Sequence, residues 1–180
     1  MGEGTLSAAD DETGDTIWIE STRGPDDEPA CLITWGALRY YAPVGDVRQT
    51  AVDLVTCAAY AEITMTMLVT LNLPPQVASR FASALLSLSG RRYFGAKTTV
   101  TMLPAGSSKR REALVTLNRG SLDAVVSAEE ARAMALQWLE IAEATESDQL
   151  VSEALRATGS DAGTQEKLFG YLRELRSAKN

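Results

Sequence analysis

The sequence predicts an α+β fold built from two copies of a β-β-α unit, with antiparallel hairpins, extra helices and a pseudo-twofold relation between the copies. Three observations predict it. The first is repetition at an offset of 84 residues. Asp46-Val47-Arg48 leads into Ala51, Val52, Leu54, Val55, Ala58 and Glu62, and Glu130-Ala131-Arg132 leads into Ala135, Leu136, Trp138, Leu139, Ala142 and Glu146. Recurrence at a fixed period marks a repeated supersecondary unit. The second is the strand-like run before each copy, Cys31-Leu32-Ile33-Thr34 and Ala113-Leu114-Val115-Thr116, whose offset of 82 implies a two-residue difference in the connecting turn. The third is size: a chain of 180 residues can bury about 70% of its unfolded surface, whereas one hairpin with one helix cannot shield both its faces from water. Two copies, 16–90 and 97–158, are therefore expected to pack as one domain with a C-terminal helix at 164–177.

Taken in order, residues 1–15 are acidic, small and free of aromatics, a composition that cannot offset chain entropy and predicts a disordered tail. Thr16 to Glu20 reads as a strand and Arg23 to Pro29 as its loop. Cys31 to about Tyr41 reads as the return strand, rich in bulky β-formers. Pro43 to Asp46 starts a helix that runs at least to Glu62, with Ala51, Leu54, Val55 and Ala58 on one stripe. The stretch 63–72 alternates like a strand, but nothing breaks the helix before Asn72, so it is read as helix. Pro74-Pro75 opens a second helix carrying Val77, Phe81, Leu85 and Leu88 and stopping at Gly90.

In the second copy Thr98 to Leu103 is the strand, Pro104 to Arg111 the loop and Glu112 to about Val126 the return strand. Ser127-Ala128-Glu129-Glu130 is a capping box, in which hydroxyl and carboxylate satisfy first-turn amides. Its helix is expected to reach about Thr145. Two shorter helices follow, at 147–158 and 164–177, the last with Leu168, Tyr171, Leu172 and Leu175 on one face. The hairpin with the helix start Ser127-x-Glu129-Glu130-Ala131-Arg132-x-x-Ala135 resembles uncharacterised small hairpin-helix proteins of actinobacteria and their phages, over about 35 residues per copy. That resemblance implies a source and a fold rather than an activity. Thirteen arginines against four lysines are compatible with a GC-rich genome.

Charge is unevenly distributed. The net −7 divides into −9 over residues 1–62, +7 over 63–119 and −5 over 120–180, a basic island between acidic flanks. The overall sign argues against a wholesale nucleic-acid binder. Cys31 and Cys57 have no CxxC spacing and fit buried, reduced thiols and a cytoplasmic setting. The N-terminus has neither the basic start nor the apolar run of a signal peptide, and Leu6 breaks the myristoylation pattern. The longest apolar region, Ile63 to Leu73, is much shorter than the roughly 20 residues of a membrane span, so no membrane segment is expected.

The chain contains no histidine, which removes the commonest general base and the commonest metal ligand together. Gly106-Ser107-Ser108-Lys109 lacks the spacing of a phosphate loop. No catalytic residue, cofactor or metal site is therefore assigned, and a non-enzyme is expected. Two charged hairpin tips, Asp26-Asp27-Glu28 and Lys109-Arg110-Arg111, occupy equivalent places in the two copies. They are the candidate interaction residues for a homo-oligomer or a protein partner. Arg91, Arg92, Tyr93 and Lys97 interleave cations with an aromatic ring and are the candidate nucleic-acid contacts of an alternative, regulatory role. Arg48 and Arg132, matched at the edge of the buried stripes, are expected to lay their stems on the core and pair with carboxylates.

Overall fold

The computed structural model describes residues 17–88, 101–107, 111–119 and 122–177. The fold of the described residues is α+β, with two three-stranded antiparallel sheets and four helices. Strands β1 (Ile17–Arg23), β2 (Pro29–Trp35) and β3 (Leu38–Ala42) form the first sheet in chain order, followed by helices α1 (Val44–Val69) and α2 (Pro75–Leu88). Strands β4 (Thr101–Ser107), β5 (Glu112–Arg119) and β6 (Leu122–Ser127) form the second, followed by α3 (Ala128–Ala157) and α4 (Ala162–Ser177).

Each expected two-stranded hairpin is thus a three-stranded meander. The single return strand read over Cys31 to Tyr41 folds back on itself after Trp35, which pairs with Leu38 across the two residues Gly36 and Ala37. Gly36 has φ +56, a conformation glycine adopts without a Cβ clash and the one that two-residue hairpin turns require. The strand read over Glu112 to Val126 is likewise two, with Arg119 opposite Leu122. The loop read over Pro104 to Arg111 starts later, because β4 continues to Ser107 with Pro104 opposite Val115. Since among the described residues β4 pairs only with β5, it is a sheet edge there, where a residue without an N–H can be accommodated.

Helix α1 continues without a break to Val69, so 63–69 is helical as read. Helix α3 also runs unbroken, correcting the helix end expected at Thr145 and the separate helix at 147–158. No glycine or proline interrupts it, and Thr145, Asp148 and Ser152 continue its buried face. Its capping box forms in full, with Glu130 N donating to Ser127 Oγ at 3.1 Å and Ser127 N to Glu130 Oε2 at 2.7 Å. Those amide and hydroxyl contacts hold the Glu130 carboxyl below its usual range.

One hydrophobic core spans both sheets and both long helices, including Ile19, Ile33 and Trp35 from the first sheet and Met102, Val115 and Leu117 from the second. The helices are exchanged between sheets: α1 lies mainly on β4 and β5, while α3 contacts β1 and β2. The most extensive helix–helix contact among the described residues is α1 with α3. Ala51, Ala58, Ala135 and Ala142 are fully buried, and such small side chains allow close approach of two helix backbones. Arg119, at the end of β5, stacks its guanidinium 3.4 Å from the centroid of the Tyr40 ring on β3, tying the two sheets together.

Candidate interaction surface

Both sequence-matched arginines bridge the two long helices. Arg48 on α1 donates to Glu143 Oε1, at 3.0 Å from Nε and 2.6 Å from Nη2, and also pairs with Glu146 on α3. Arg132 on α3 donates to both carboxylate oxygens of Glu62 on α1, each at 2.5 Å. An early residue of each helix therefore meets a later residue of the other, so the helices run antiparallel. The arginine partners hold the Glu62 and Glu146 carboxyls below their usual range. All four side chains reach solvent, so the pairs orient the helices more than they stabilise them.

The acidic tip Asp26-Asp27-Glu28 lies in the β1–β2 turn, closed by Asp27 N donating to Gly24 O at 3.1 Å and Gly24 N to Glu28 O at 2.7 Å. Arg23 pairs with Asp27 at 2.8 Å, and Arg156 of α3 with Glu28 at 2.8 Å. Two of the tip's three carboxylates are therefore already engaged within the chain. Of the basic tip, Arg111 is exposed with φ +54. Lys109 and Arg110 lie outside the described residues, as do Arg91, Arg92, Tyr93 and Lys97.

Two clefts flank the acidic tip. One of about 250 Å³ is lined by Pro25, Pro29, Tyr41, Pro43 and Gln149 among others. The other, about 350 Å³, is lined by Arg23, Asp27, Ala162, Gln165, Glu166 and Phe169. Helix α4 closes the second. Its Phe169 is buried and takes the Arg23 guanidinium 4.9 Å from its ring centroid, and Arg176 forms a bidentate pair with Asp148 at 2.7 and 2.8 Å. Neither cleft is lined by a cysteine or a histidine. Cys31 Sγ instead donates to Thr145 Oγ1 at 3.3 Å inside the core. Burial pushes the Cys31 thiol up, and burial with the nearby Asp53 charge pushes Cys57 up to about 12. Both sulfurs are thus poor nucleophiles at neutral pH. Among the described residues, no group of three or more His, Cys, Asp or Glu side chains is placed to hold a metal ion.

The surface that sequence reasoning missed is apolar. Helix α1 is long and apolar enough, by length and composition, to cross a membrane. Its inner stripe of Val47, Ala51, Leu54, Ala58 and Ala61 is accounted for by the core, but Val52, Val55 and Ile63 are exposed. On α2, Ala78 and Ala82 are buried while Val77, Phe81 and Leu88 point outward. Three large side chains of this amphipathic helix are thus on its open side, while Leu85 is half-buried. Val69 and Leu71, at the turn between the two helices, are exposed as well. The signal was in the sequence: over residues 63–88 the only charged side chain is Arg80.

Comparison with protein-family models, curated proteins and solved structures finds no match to this chain.

Proposed function

We propose that this chain is a non-enzymatic protein-interaction module that arose by duplication of a β-β-β-α unit. The observation that carries the interaction role is the charge-poor helical hairpin α1–α2, which presents Val52, Val55, Ile63, Val77 and Phe81 to solvent. Contiguous exposed apolar surface is a mark of protein or membrane contact sites.

The duplication is supported by equivalent packing. Val47, Ala51, Leu54, Ala58, Ala61 and Thr64 are buried on α1, and 84 positions later Ala131, Ala135, Trp138, Ala142, Thr145 and Asp148 are buried on α3. Arg48 with Glu146, and Arg132 with Glu62, are the same ion pair with the helices interchanged. The chain reversals after Trp35 and Arg119 also stand 84 apart. Register through the inner strands therefore needs no two-residue difference in the turns. Cys31 and Ile33 align with the buried Val115 and Leu117 at that same offset.

Native mass spectrometry of the tagged chain, gently isolated from its source cells, tests the interaction role. A defined complex heavier than the 19.3 kDa chain is expected. The chain alone, both there and after purification, would refute the role. A second reading, regulatory nucleic-acid binding, is supported by the +7 charge of residues 63–119. It predicts an affinity for labelled DNA or RNA that falls steeply with salt as counterions are released.

A further inference from the structure

We infer that α4 is a strap, which opens from α3 and the β1–β2 hairpin as one cooperative unit while the two sheets and the two long helices stay folded. Opening it dismantles the larger of the two clefts beside the acidic tip.

The joint is the first argument. Helix α3 is finished without any help from α4. Gly159 stands at φ +73, its N–H donates to Arg156 O at 3.0 Å, and the N–H of Ser160 donates to Leu155 O at 3.0 Å. These are the paired bonds that close a helix end through a left-handed glycine. Helix α4 begins on a cap of its own, with Asp161 Oδ1 accepting from Thr164 N at 3.0 Å and Oδ2 from Thr164 Oγ1 at 2.8 Å. The side-chain bond from Gln165 Nε2 to Ser160 O, at 3.2 Å, crosses the joint. Since each helix end is satisfied by its own residues, α4 can leave without unwinding the last turn of α3.

The seat is the second argument. Tyr171 and Leu175 of α4 are exposed, and Leu168 and Leu172 are half-buried. Phe169 is buried, but outside the continuous core that α1 and α3 share with the sheets. The surface it meets is largely polar: Ser21, Thr22, Arg23, Pro29 and Asp148 line the small space beside its ring. Most helical stability in a protein comes from packing an apolar face, so a helix seated mainly by one ring and the Arg176–Asp148 pair is a weakly held element. When α4 lifts, water reaches Asp148 and Arg23, so neither charge is left buried and unpaired. Of the six described residues lining the cleft of about 350 Å³, Ala162, Gln165, Glu166 and Phe169 belong to α4, and Arg23 and Asp27 to the hairpin. The cleft therefore exists only while the strap is down.

The test is amide hydrogen exchange on the full purified chain, resolved by residue and repeated across low urea concentrations. Amides of 166–177 are expected to exchange at one common opening equilibrium, at least about a hundredfold more open than that of α1 and α3. Urea should change it little, because little surface is exposed in the opening. Amides of 150–157 should keep the protection of the rest of α3. Phe169→Ala should raise exchange across α4 by at least about tenfold more and leave α1, α3 and both sheets unchanged. Protection of α4 equal to that of α3, with the same urea dependence, would overturn the inference, because the helix would then open only in global unfolding. A gradient of exchange rising steadily towards Ser177 would overturn it in favour of end fraying. Exchange of 150–157 in step with α4, or loss of protection throughout the chain in Phe169→Ala, would also overturn it, since α4 would then not be a separate unit.

Discussion

The seam between α1 and α3 makes the sharpest stability prediction. Along α1 the residues Arg48, Ala51, Ala58 and Glu62 are spaced three, seven and four apart, and along α3 so are Arg132, Ala135, Ala142 and Glu146. This is the spacing of a helix–helix seam, with ion pairs at both ends. Ala58 and Ala142 are each 0% exposed, so Ala58→Leu has no space to enter without moving a helix. Forcing extra methylenes into a packed core costs about 1–3 kcal/mol. At about 2 kcal/mol, a chain of this length should lose about 4–8 °C of Tm. Ala142→Leu should lose a similar amount, because it is the equivalent position 84 residues on. Ala133→Leu, on the exposed side of α3, should change Tm by no more than about 2 °C, since surface substitutions stay within about 0.5 kcal/mol. The assay is thermal and urea unfolding followed by circular dichroism at matched protein concentration, with the urea m-value checked for constancy. If Ala58→Leu melts with the wild type, the close seam is wrong. If only one of the two variants is destabilised, the two helices do not pack equivalently.

Removing the Arg176 side chain as Arg176→Ala should release α4. It leaves Asp148, 8% exposed, without its bidentate partner at a cost of about 1.5–3 kcal/mol. Amide exchange across 162–177 should rise by about 10- to 100-fold, with the two sheets unaffected. Unchanged exchange would mean that Phe169 alone holds the helix. A second prediction concerns acid. Glu62 and Glu146 are depressed in the fold by Arg132 and Arg48, so the stability they contribute is present above the unfolded glutamate value of about 4.3 and is lost as pH falls through their lower folded values. Denaturation midpoints should therefore fall below about pH 4, and Glu62→Gln with Glu146→Gln should flatten that acid limb. An identical limb in the double variant would refute the assignment. The third prediction is that Cys31 and Cys57, both fully buried, react with a thiol reagent only at the rate of unfolding. Fast labelling of either in the folded protein would contradict its burial.

The local patterns were readable residue by residue. The Ser127–Glu130 capping box and the Pro74-Pro75 start of α2 formed as their spacing implied, and of the stripe read on α1 Ala51, Leu54 and Ala58 are buried while Val55 is exposed. Gly36-Ala37 also carried a readable signal, a two-residue turn between bulky strand residues, which the run of β-formers on either side obscured. Arg48 and Arg132 were recognisable as core-edge arginines, but their carboxylates lie 95, 98 and 70 residues away. Separations of that size have no signature in helical or strand periodicity.

What the sequence by itself determined is the alternation of strand and helix, the caps that start the helices and the faces that must be buried. These follow from 2.0- and 3.6-residue periods and from the chemistry of single residues. Only the tertiary structure decided that α1 lies on the second sheet and α3 contacts the first, because an apolar stripe fits any apolar face of suitable shape. It also decided that Ala78 and Ala82, rather than Val77 and Phe81, turn inward on α2. Hydrophobicity alone favours burying the larger side chains. Ala78 and Ala82 pack inward with Leu85 half-buried, and Val77 and Phe81 are left outward.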